Sequence, residues 1–176
     1  HRYGGAEPLD APWKTIDLSR HIGTGSGLGI GVASPEDDLL AMTTDDGSEG
    51  LVYFPAQDKV LSTGPMRTVG STNEPMIMPY IDAYSKHVIF ADVTGNVALF
   101  DLVNGNGKPE RFRVNFSPRF VRTGWLESTW ILAGDKGIMF QSFKDPSDRK
   151  IVRFVPEVMN MWVTGDSKTA LYTLDE

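Results

Sequence analysis

Glycine stands at every second position from Gly23 to Gly31, with Ser26 inside the run and His21 just ahead of it. Such a stretch invites two chemistries, a phosphate cradle of backbone N–H groups and a hydroxyl nucleophile. Neither pattern is met. No frame gives G-x-G-x-x-G or a P-loop ending in Lys-Ser/Thr, and β-forming residues follow rather than a helix. A nucleophile elbow needs G-x-S-x-G, whereas Thr24 and Leu28 hold the outer positions around Ser26. At a period of two the glycines share one face of an extended segment, where they admit a close backbone neighbour.

The other reactive side chains are scattered. His1, His21 and His87 lack metal-ligand spacing, so a zinc or copper site would have to gather ligands from distant places. Glu36, Asp37 and Asp38 form one acidic turn, and Asp45, Asp46 and Glu49 another. The calcium loop D-x-[DN]-x-[DN]-G is absent, and one strand separates the two turns by ~20 Å, so they read as solvated. The chain has no cysteine, which excludes disulfides, thiolate metal sites and cysteine nucleophiles. No catalytic residue, metal ligand or cofactor is therefore assigned. Basic residues gather late in the chain, at Arg111, Arg113, Arg119, Arg122, Arg149, Lys150 and Arg153. Arg111, Arg113, Lys150 and Arg153 fall on expected outer strands and would form a basic stripe for an acidic partner or lipid headgroups. Trp125, Trp130 and Trp162 sit at strand positions and are expected in the core.

The elements that position these residues are short strands. His87–Leu102, HVIFADVTGNVALFDL, reads as two apolar strands around the turn Val93-Thr94-Gly95. The same hairpin recurs. Residues 29–64, 76–114 and 119–154 each read as a four-strand unit, and 158–176 as a partial fourth. Residues 1–28 supply a strand, Trp13–Leu18, and the Gly-rich loop. The turn glycines Gly47 and Gly95 are 48 residues apart, and Gly95 and Gly137 are 42. This period, with four strands per unit, predicts an all-β chain of about four blade-like units. Its 176 residues suit one domain or a fragment of a larger one.

Ser34-Pro35-Glu36-Asp37, Asp45-Asp46-Gly47 and Phe100-Asp101 resemble the turn and strand-end pattern of WD-repeat and related bacterial β-propeller repeats. The resemblance implies a β-propeller, either a small closed ring or an arc of a larger one. In the closed form Trp13–Leu18 would pair with the last strand, near Thr169–Leu174. It also implies a non-catalytic scaffold or interaction domain of a larger, membrane-associated assembly. The alternative is part of a propeller enzyme of the lactonase or quinoprotein amine dehydrogenase kind. Expected partners are a protein, the rest of a larger or membrane-anchored chain, or a second copy if the ring is open. An extracytoplasmic setting is favoured. Net charge is −6, with −7 in residues 1–100 and +1 in 101–176, which argues against general affinity for nucleic acid. No apolar run approaches the 18 residues of a spanning helix.

Overall fold

Consecutive apolar residues such as Val88-Ile89-Phe90-Ala91 cannot be half-exposed strand. Both faces need cover, and neighbouring sheets supply it. A computed structural model of the chain describes residues 17–22, 27–35, 38–66, 79–123, 129–145, 147–153, 158–164 and 169–174. The first sheet holds β1 (Leu28–Ala33), β2 (Leu40–Thr44), β3 (Gly50–Phe54) and β4 (Lys59–Ser62). The second holds β5 (Tyr80–Ile81), β6 (His87–Ala91), β7 (Asn96–Asp101) and β8 (Glu110–Arg113). The third holds β9 (Ser117–Thr123), β10 (Thr129–Asp135), β11 (Gly137–Ser142) and β12 (Arg149–Arg153), and the last holds β13 (Val158–Val163) and β14 (Ala170–Leu174). Every sheet is an antiparallel meander in chain order.

Strand alternation deals the side chains to opposite faces, and each face meets a different sheet. Val88, Phe90, Ala98 and Phe100 pack on Leu39, Ala41 and Val52 of the first sheet. Ile89, Ala91, Val97 and Leu99 turn the other way, onto Val121, Trp130, Leu132 and Met139 of the third. Ile131, Ala133 and Ile138 then meet Met161 of the fourth. Gly50 allows the first contact to close, because a Cβ there would strike the ring of Phe90. First strands neighbour one another, β1 beside β5 and β9 beside β13, so the fourth strands β4, β8 and β12 lie at the opposite edges.

The structure departs from the sequence reading at the ends. Trp162 is not core: it is 55% exposed, because Met161 takes the face toward the third sheet. Trp125 lies outside the described residues. So do residues 13–16 of the expected N-terminal strand. Its end, Asp17–Leu18, is irregular, and Leu18 packs on Met42, Leu51 and Tyr53 of the first sheet. Among the described residues β14 has no neighbour besides β13, so no third strand is seen there. Of the expected strand Met76–Ile81, residues 76–78 lie outside the described set, and Tyr80–Ile81 is strand.

Candidate functional site

The turns between second and third strands are built to hold shape. In the β6–β7 turn the Asp92 carboxylate is buried and accepts from the Thr94 N–H (2.9 Å), the Thr94 hydroxyl (2.7 Å), the Asn96 N–H (3.0 Å) and Asn96 Nδ2 (2.7 Å). A carboxylate so saturated can be buried without leaving an oxygen unpartnered. The matching β10–β11 turn is only Asp135-Lys136, with Lys136 in the left-handed region at φ 65°.

Between these two turns, and against the connection Val114–Ser117, lies a cleft of about 620 Å³. Val93, Thr94, Phe116 and Lys136 are among its walls, and Arg113 and Asp135 place charge on it. Lys136 is widely exposed, with Nζ 4.0 Å from the Asp135 carboxylate, which leaves its charge largely available. Arg113 is exposed and donates from Nη2 to the Thr94 carbonyl over 3.4 Å. A second cleft of about 300 Å³ lies beside the first, lined by Met66, Asn96, Val97, Arg111, Phe112 and Arg113, so Arg113 borders both.

Of the four basic residues expected in a stripe, the structure brings two together. Arg111 and Arg113 lie two apart on β8, at the edge of the second sheet. Arg111 is engaged, donating to the carbonyls of Thr63 and Pro65 in the segment after β4. Lys150 is exposed on β12, the edge of the third sheet, and lines neither cleft. Arg153 lies on the same strand, and its side chain is outside the described set. Arg149, a member of the same basic group, is half-buried. Its guanidinium lies 3.7 Å from the centre of the Phe112 ring and donates to Gln141 Oε1 (2.8 Å) and Glu110 (3.5 Å).

Arg149 begins a column of flat groups between the second and third sheets. Phe112 meets Trp130 at 6.0 Å, Trp130 meets Phe143 at 6.4 Å, and Phe143 stacks on His87 at 3.9 Å. His87 closes the column with a 2.6 Å contact from Nδ1 to the buried Asp82 carboxylate. His87 is thus a packed and paired group. Among the described residues no three His, Asp or Glu side chains stand together as metal ligands. The sequence reading recognised both turns but not the cleft, which exists only because adjacent sheets set Lys136 and Arg113 around one hollow.

No family model matches the chain, and no curated protein is detectably similar in sequence. Solved structures do match. The crystal structure of the Cps50 (Swd1) β-propeller domain of Myceliophteria thermophila superposes with a TM-score of 0.60 at 13% identity, over 86% of this chain. The chain spans about half of that domain, 51% of its length. At this identity the likeness speaks to architecture. Four consecutive antiparallel sheets, packed face to face, with β1 beside β5 and β9 beside β13, are the blades of a β-propeller.

Proposed function

We propose that this chain is a non-catalytic interaction module of a larger assembly, with repeats of the divergent WD-like type found in bacterial propellers. Its partner surface is the turn-end cleft between the second and third blades, and its partner is an acidic protein segment. The observation that carries the reading is the exposed pair Arg113 and Lys136 lining one cleft, with Asp135 the acidic residue among its described lining residues. Both stand on turns and edges of packed blades, so little ordering entropy is spent when a ligand arrives. By their positions on the next blade's edge strand, Lys150 and Arg153 are the candidates for a second line of contact.

Model peptides rich in Asp and Glu, titrated by calorimetry, test this. They are expected to bind better than basic peptides of equal length, and more weakly as salt rises. The double substitution Arg113→Glu and Lys136→Glu should weaken binding at least about tenfold. Equal affinity for acidic and basic peptides, or binding untouched by the double charge reversal, would sink the reading.

A further inference from the structure

Asn104 and Asn106 are the asparagines of this chain that a glycine follows, and both are exposed in the loop between β7 and β8. Asparagine before glycine carries a latent reaction. The backbone nitrogen of the glycine can attack the side-chain amide carbon of the asparagine, since no Cβ stands in the way. Two conditions must hold. The glycine N–H must be free to give its proton to base, and the asparagine side chain must be free to lie over the next peptide.

The loop treats its two pairs differently. The first is tied to Asp101 at the end of β7. The Gly105 N–H, the would-be nucleophile, donates to the Asp101 carbonyl at 3.1 Å. The Asn104 N–H donates to the Asp101 carboxylate at 2.8 Å, and Asn104 Nδ2 donates to its other oxygen at 3.2 Å. The second pair is open where the first is held. Among the described residues no acceptor takes the Gly107 N–H. The Asn106 Oδ1 accepts from the Lys108 N–H at 3.0 Å. A bond from an asparagine oxygen to the N–H two residues on folds the side chain over the intervening peptide. It also draws electron density from the amide carbonyl, which makes Cγ a better electrophile.

We propose that Asn106 is a site of spontaneous deamidation in the folded chain, and that Asn104 in the same loop is protected from it. The Gly107 nitrogen loses its proton and bonds to Asn106 Cγ. The Cγ–Nδ2 bond breaks, and the nitrogen takes up a proton and leaves as ammonia. Water then opens the succinimide ring on one side or the other, to aspartate or isoaspartate. Either product puts a carboxylate where the loop had a neutral amide, and no oxidant or cofactor takes part.

Ageing of the full chain in mildly alkaline buffer, followed by peptide mapping with tandem mass spectrometry, tests this. Asn106 should convert at least about tenfold faster than Asn104, because a group tied into the structure must wait for local opening. In urea the two rates should converge, since both are then Asn-Gly pairs of an unfolded chain. The Asn106→Gln chain should lose most of the ammonia release, with unchanged far-ultraviolet circular dichroism, since the residue is exposed. Equal rates in the folded chain, or a faster Asn104, overturn the proposal. So does a folded chain that keeps Asn106 intact over the time in which the urea-treated chain converts.

Discussion

A side chain at position 95 has nowhere to go. Gly95 sits at φ 96°, and a Cβ there would run into the carbonyl oxygens of Val114 and Phe116. The Gly95→Ala chain should lose about 1–3 kcal/mol of stability, the usual range for a strained backbone position. For a chain of this length that lowers the melting temperature by about 2–4 °C per kcal/mol, read by circular dichroism. An unchanged melt would mean that the turn relaxes freely. The turn was legible in the sequence because its chemistry is local: Asp92, Thr94, Gly95 and Asn96 satisfy one another within five residues. Arg149 was not legible. It reads as one more surface cation, and its ring partner Phe112 lies on another blade. Trp162 was misread for the same reason, since its neighbour, or lack of one, is not a property of its own strand.

The segment 17–22 shows how an element is held without being a strand. Asp17 accepts from the Ser19 N–H at 2.9 Å and turns the chain, and Leu18 drops onto the first blade. Asp58, in the β3–β4 turn, takes the Arg20 guanidinium and the Tyr53 hydroxyl (3.3 Å), with His21 Nε2 at 3.7 Å. Desolvation pushes the Asp58 carboxyl up, but hydrogen bonding and charge from Arg20, with Tyr53 and His21, outweigh it and hold its pKa below the usual carboxylate range. A depressed folded pKa means that the tether is present above the unfolded value of about 3.9 and is lost as pH falls through the folded value. The Asp58→Asn chain should therefore melt below the native chain at neutral pH. The gap should close at low pH and narrow in high salt, since Asp58 is part-exposed. At neutral pH trypsin should cut after Arg20 faster in the variant. A gap that persists in acid would assign the effect to packing.

At the scale of the whole molecule, the packed clusters among the described residues join each blade to its neighbours in sequence, so stability is unevenly shared. The second and third blades are covered on both faces, and the fourth on one. Amide hydrogen exchange should be slowest in β6, β7 and β10 and fastest in β13 and β14. Uniform exchange would show that the arc opens as one unit. Strand number and order were readable from sequence, because alternation and turn residues repeat along it. Whether the arc closes was not. That depends on what meets the first blade's outward face, and Leu18 meets it from outside every repeat.

One arrangement points along the chain. Arg111, on the last strand of the second blade, reaches back to carbonyls that follow the first blade. Arg149, on the last strand of the third, reaches back to Glu110 and Phe112 on the last strand of the second. The second and third blades thus each finish with a residue that latches onto the blade made before it. A polypeptide leaving the ribosome presents its blades in this same order. Every latch finds its catch already synthesised, so the propeller can assemble in step with translation and no blade need wait for a later one to secure its seam with its predecessor.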